Sequence, residues 1–148
     1  MQIINTTNIP QARKEIQELK KQKKQVIIQA QDDEFNRKIF ENKDIDIVIG
    51  LETHSRKDYM KQRDSGLNEI LAKLAKENKI KIAIDISKLK NHTPKDKAII
   101  LSRIKQNIQL CKRTKTKLVL IPKPNKQEAI SLFLSLGAST SQAKQAIE

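Results

Sequence analysis

Two hydrophobic periods take turns along this chain. Short β-branched runs with strand character lie over residues 2–6, 26–30, 44–50, 80–86 and 117–121. Between them apolar residues recur three and four apart, which is helical spacing. The first such stretch starts at a cap, Asn8, with Pro10 in its first turn, and puts Ala12, Ile16 and Leu19 on one face before KKQKK ends it. A second covers 33–42, with Phe35, Ile39 and Phe40 inward. A third, 67–78, carries the stripe Leu67, Ile70, Leu71, Leu74 and Ala75, with Glu69 facing Lys73 and Lys73 facing Glu77 on the wet side. Thr93, Pro94 and Asp96 open a fourth by cap, first-turn proline and third-position acid. It is expected to run to about Lys112 and bury Ala98, Leu101, Ile104, Ile108 and Cys111. Asn125 and Glu128 resemble a capping box for a fifth, stopped by Gly137. A very short sixth strand at 138–139 and a closing helix over 141–147 complete the expectation.

Strands of four to seven residues alternating with helices are βαβ units and imply a mainly parallel sheet. With 148 residues the chain is expected to be one domain, 1–148. Five or six units are too few for a closed eight-stranded barrel, which takes roughly 250 residues. Periodicity leaves a three-layer sandwich and an incomplete barrel equally open.

Charge changes the picture more than size does. Lys and Arg number 30 against 17 Asp and Glu, a formal net charge of +13. From Lys97 to Lys126 there are nine basic residues and no acid: Lys97, Arg103, Lys105, Lys112, Arg113, Lys115, Lys117, Lys123 and Lys126. Such a stretch suits a polyanion, although a lysine-rich solvated face has the same composition. No apolar run approaches the ~20 residues that span a bilayer. The opening MQIINTTNIP lacks the basic and apolar regions of a secretory leader, so a cytoplasmic location and no membrane partner are expected.

Protein-borne chemistry is poorly supported. Of the two histidines, His54 falls in a polar stretch, 51–65, and His92 between a strand and a helix; neither belongs to a metal-ligand spacing. A carboxylate set can be drawn from Asp32, Asp33, Glu52 and Asp85, with Asp32 and Asp85 near strand ends, yet a helix cap explains Asp32 or Asp33 and a satisfied loop carboxylate explains Asp85. Three glycines form no phosphate-cradling motif. Cys111 reads as core, and with one tyrosine, three phenylalanines and no tryptophan, base stacking on aromatics is disfavoured. Lysine and arginine can still hold a folded RNA by its phosphates. The 51–65 stretch offers Arg56, Lys57, Lys61 and Arg63, of which Arg56 and Arg63 carry planar guanidinium forks. Ser65, Gly66 and the amides after them are placed to form an anion pocket at the start of the following helix. The alternative is that Asp64 or Ser65 merely caps that helix and Arg63 pairs with a carboxylate. Lys73 on that helix, and Lys88 and Lys90 after the fourth strand, complete the candidate RNA-binding set; no catalytic or metal-binding residue is expected.

The segment 64–89, DSGLNEILAKLAKENKIKIAIDISKL, resembles the most characteristic part of archaeal ribonuclease P protein component 3, the family of the thirty-kilodalton subunit. The preceding strand IDIVIG, the opening Gly66-Leu67-Asn68, the helix ILAKLAKE and the strand and turn IAIDISKL carry the likeness. Near the C-terminus Ser131, Leu132, Leu136, Gly137, Gln142, Ala143 and Lys144 continue it. The resemblance implies an α/β fold that is TIM-barrel-like (PHP-like), here an incomplete barrel of five to six parallel strands. It also implies a shortened member, because QIINTTNIPQARKEIQELKK resembles the family's third βα unit. Asp85 stands where many members have an uncharged residue, and PKPNK is shorter than the family's usual loop.

On function, the resemblance implies an RNA-binding subunit of ribonuclease P, assisting an RNA catalyst in 5′-end maturation of pre-tRNA. The implied partners are ribonuclease P RNA, pre-tRNA, ribonuclease P protein component 2 and other ribonuclease P proteins. The implied cofactor position is none bound by the protein, with Mg²⁺ used by the partner RNA. Two alternatives stand beside it: a PHP-like metal-dependent phosphoesterase using Glu52, His54 and Asp85, and a purely structural scaffold protein.

Overall fold

The computed structural model describes residues 2–54, 64–123 and 125–147, without the side chains of Lys88, Lys90 and Asn91. Its elements are β1 (Ile3–Ile4), α1 (Ile9–Lys21), β2 (Ile27–Gln29), α2 (Asp33–Phe40), β3 (Ile47–Ile49), α3 (Glu69–Glu77), β4 (Lys81–Asp85), α4 (Pro94–Thr114), β5 (Leu118–Ile121), α5 (Lys126–Ser135) and α6 (Thr140–Ala146). Short 3-10 turns occupy Leu51–Thr53 and Ile86–Asn91.

The five strands form one all-parallel sheet in the order β1-β2-β3-β4-β5, each paired with its neighbour in sequence. This order decides between the two architectures left open above. A doubly wound sandwich reverses its strand order and so places helices on both faces. A sequential order with right-handed crossovers keeps the connecting helices on one face. The fold is therefore an incomplete TIM-barrel-like βα array. Among the described residues β1 and β5 are its two edges.

Strand parity divides the core accordingly. Ile4, Ile28, Val48, Ile82, Ile84, Leu118 and Leu120 face the helices and join Ile16, Phe35, Phe40, Ile104 and Phe133 in the main core. The opposite parity, Ile27, Ile47, Ile49 and Ala83, makes a separate inner cluster, with Val119 and Ile121 half-buried beside it. This inner face is what eight strands would fill in a closed barrel. Here the central strands bury it, while Ile3 on edge strand β1 is 38% exposed.

Capping follows the sequence closely. Asn8, Asp32, Asn68, Thr93 and Asn125 each accept a backbone N–H from the first turn of their helix. The third helix begins at Glu69 rather than Leu67, because Asn68 accepts from the Leu71 amide at 2.9 Å and holds itself extended. The expected sixth strand is absent among the described residues. Ser139 instead caps α6 in a reciprocal box with Gln142, whose side chain accepts from the Ser139 amide at 3.0 Å.

Three helices end alike. After α1, α3 and α4 the chain turns through Lys23, Lys79 and Lys115 at φ of 56°, 57° and 60°. The next amide then reaches back: Lys24 to Leu19 O, Ile80 to Ala75 O and Thr116 to Cys111 O. These are Schellman-type ends, for which glycine is the low-strain residue and any other costs about 1 kcal/mol. The same ending after α5, Ala138 to Phe133 O, does use glycine, Gly137 at φ 93°.

Candidate functional site

The βα edge, where strands run into the N-termini of the following helices, is where α/β folds place their sites. Its centre here is a polar interior. Beyond β3 the chain passes Gly50 into the 3-10 turn, and Leu51 and Glu52 are buried rather than part of a solvated loop. A Glu52 carboxylate oxygen accepts the Asp85 amide at 3.2 Å, tying the end of β4 to that turn. Arg103, 5% exposed, donates from one guanidinium nitrogen to Glu52 O at 3.1 Å and His54 O at 2.9 Å. Asn107, one turn later on α4, donates to Ser65 O at 3.2 Å. His54 Nε2 lies against the Asp64 carbonyl oxygen and 3.5 Å from its carboxylate. A carbonyl can only accept, so Nε2 carries the proton.

The candidate RNA-binding residues fall into three groups in this frame. Arg56, Lys57, Lys61 and Arg63 lie outside the described residues. Lys88 and Lys90 lie on the 3-10 turn Ile86–Asn91, which Asp85 caps by accepting the Ser87 amide at 3.1 Å; their side chains are outside the description. Lys73 is exposed on α3 and pairs with Glu69 at 3.7 Å, an i,i+4 contact on the wet face as expected.

Ser65 and Gly66 need correcting. Ser65 is 1% exposed and donates its hydroxyl to Leu67 O, while the Leu67 amide donates back to Ser65 Oγ. The Gly66 amide donates to an Asp64 carboxylate oxygen at 3.1 Å. Two of the amides expected to cradle an anion, those of Gly66 and Leu67, are thus engaged by the protein's own acceptors, and helix α3 begins only at Glu69. Gly66 is required for a different reason: at φ 79° a Cβ would run into the backbone carbonyl of Leu51. The neighbouring cleft, about 340 Å³, is lined by Asp33, Asp64, Arg37 and Gln106 among others, so its charge is mixed.

The helix faces depart from expectation at two places. Ile70, placed on the apolar stripe, is 68% exposed, and Ala72 is buried instead. On α4 the buried stripe is Ile100, Arg103, Ile104, Asn107, Ile108 and Cys111, and Ala98 is exposed. Arg103 and Asn107 were missed because polar residues were assigned to water. Their three- and four-residue spacing from Ile100, Ile104 and Cys111 was the signal available. Arg103, counted with the basic run, is an interior hydrogen-bond donor. Cys111 is core, 1% exposed, and burial pushes its thiol up to about 12.

For a PHP-like metal site the donor set does not fit. Among the described residues no group of three or more His, Cys, Asp or Glu is placed to hold a metal ion. Asp32 caps α2 through the Phe35 amide, and Asp85 caps the turn that follows it. Nor is any described helix long and apolar enough to cross a membrane.

Comparison with known proteins agrees with this fold. No family model matches the chain. Ribonuclease P protein component 3 of Methanococcus vannielii is 27% identical over 95 residues, covering 64% of this chain and 38% of that protein. The protein of the same name from Methanococcus maripaludis strain C7 is 26% identical over 117 residues, 79% of this chain and 47% of that one. The chain thus spans less than half the length of these curated relatives. A chain in a cryo-EM structure of archaeal ribonuclease P with mature tRNA superposes with a TM-score of 0.78 at 20% identity, covering 97% of this chain and 62% of that chain.

Proposed function

We propose that this chain, a relative of ribonuclease P protein component 3, is an RNA-binding protein subunit of ribonuclease P. It assists an RNA catalyst in maturing the 5′ ends of pre-tRNA and breaks no bond itself. The observation that carries this reading is the sequence likeness to component 3 over up to 79% of the chain. The shared fold supports it. The net charge of +13 supplies the physics. Lysine and arginine release counterions from closely spaced phosphates, which lowers the Mg²⁺ that a large RNA needs to fold and hold its substrate. Mg²⁺ belongs to the RNA in this reading, and the protein needs no metal of its own.

Arg56, Lys57, Lys61, Arg63, Lys73, Lys88 and Lys90 are the proposed RNA contacts, with Arg56 and Arg63 foremost. Ser65 and Gly66 shape the turn beside them. Ribonuclease P protein component 2 is the proposed protein partner. The test is reconstitution of pre-tRNA cleavage from ribonuclease P RNA and component 2 at limiting Mg²⁺, with and without this chain. Faster cleavage when the chain is present is expected. No stimulation at any Mg²⁺ concentration, or phosphodiester hydrolysis by the protein alone with Mn²⁺ or Zn²⁺, would overturn the reading.

A further inference from the structure

We propose that the cleft between the α3–β4 and α4–β5 turns, on the sheet edge opposite the βα loops, docks the phosphate backbone of an RNA through Lys76, Lys79, Lys81, Lys115 and Lys117. This inference rests on the RNA-binding reading above and adds a second contact face to it.

The cleft measures about 320 Å³ and is lined by those five lysines with Ala75, Ile80 and Thr116; none of its lining residues is acidic. All five lysines are exposed. Lys81 and Lys117 precede the paired residues Ile82 and Leu118 on adjacent parallel strands, and the Ile82 amide donates to Lys117 O. Their backbones are therefore roughly 4.8 Å apart and their side chains leave the same face. Like charges set side by side repel, and a bound polyanion relieves that repulsion.

Helix C-termini favour nearby cations, which accounts for Lys76 in the last turn of α3. It does not account for Lys81 and Lys117 at the starts of strands. Lys79 and Lys115 stand just past the ends of α3 and α4 in left-handed backbone, as Lys23 does after α1, so the strand-start pair is what the helix ends leave unexplained. The cradle is also rigid. Thr116, 4% exposed, donates its hydroxyl to Ala72 O at 2.8 Å and meets Thr114 Oγ1 at 2.8 Å, locking the α4–β5 turn onto α3. Amines carried on a fixed backbone, with no exposed apolar residue among them, suit a phosphate backbone better than a lipid surface, because Ala75 and Ile80 at the base are buried.

The strained lysines permit a test that spares the fold. In the full chain, Lys79→Gly and Lys115→Gly relieve the left-handed backbone, and Lys76→Gln, Lys81→Gln and Lys117→Gln remove the remaining charge. A control carries five Lys→Gln changes at exposed positions elsewhere: Lys14, Lys38, Lys105, Lys126 and Lys144. Binding to unfractionated tRNA is measured across a salt titration. The cleft variant is expected to keep or raise its thermal midpoint and lose at least about tenfold in affinity. Its log–log salt slope should be shallower by about 2 or more, against a smaller loss in the control. Equal losses in both variants, or wild-type affinity and slope in the cleft variant, would overturn the site. A cleft variant that loses binding only to phosphatidylserine vesicles would assign the cleft to lipid instead. Stimulation of pre-tRNA cleavage by wild-type protein alongside an unaffected cleft variant sinks this site and leaves the subunit reading intact; wild-type protein that binds no RNA sinks both.

Discussion

The two edges of the sheet solve opposite problems with the same polar residue types. At the βα edge, charge turns inward: Arg103 is buried and donates to the carbonyls of Glu52 and His54, Glu52 accepts the Asp85 amide, and Asn107 holds Ser65. At the αβ edge, charge turns outward: five lysines surround a cleft whose lining contains no acid. A polar group in the interior must be satisfied by the protein, so the buried Glu52, Arg103 and Asn107 are structural. A solvated ammonium is free to meet a partner, so the second edge can lose its lysines without losing the fold.

The largest expected effect is at the first edge. Arg103→Ala strands the buried Glu52 carbonyl and the half-buried His54 carbonyl and empties a guanidinium-sized space, and should cost about 4 kcal/mol in urea unfolding. A cost below about 1 kcal/mol would show that this edge is solvated after all. Gly66→Ala should cost about 3 kcal/mol, since it combines positive φ with a clash against the Leu51 carbonyl. Amide exchange at residues 51–54 and 64–67 should accelerate in both variants, and exchange in α1 should not.

Thr116→Val at the second edge is isosteric and removes the hydroxyl that ties α4–β5 to α3. It should cost about 1–2 kcal/mol, with faster exchange confined to the α3 and α4 ends. Cys111 reports on the packing between the edges. Its thiol would ionise near 9.0 when exposed and only at about 12 when buried. Between those values the folded state holds a proton that the unfolded state has released, so this contribution is complete below pH 9 and is lost as pH rises towards 12. Cys111→Ala should flatten the fall in stability above pH 9 relative to wild type; parallel curves would contradict the buried thiol. The smallest effect belongs to Lys73→Ala, which breaks a surface pair with Glu69 and should cost no more than about 0.5 kcal/mol in thermal unfolding.

Much of this is legible in the amino-acid sequence. Strand and helix identity followed from period, and the caps at Asn8, Thr93 and Asn125 followed from short polar side chains before apolar stripes. Local chemistry decides those features, so they survive into the fold. Stripe phase was less legible. On α4 an arginine and an asparagine occupy inward positions, and single-residue hydropathy assigned the stripe part of a turn away. The expected anion pocket at Ser65 and Gly66 met a related obstacle: the Gly66 and Leu67 amides, free in the sequence, find acceptors two residues away.

The chain's own residues determined that it would be a basic βα array with a helix-covered core, because periodicity and net charge are sums over sequence. Only the tertiary structure decided which edge would carry that charge outward. Lys79, Lys81, Lys115 and Lys117 belong to two turns 36 residues apart, and parallel register between β4 and β5 brings them together. Pairing between strands distant in sequence has no local signature, so no window along the chain could have revealed that cleft.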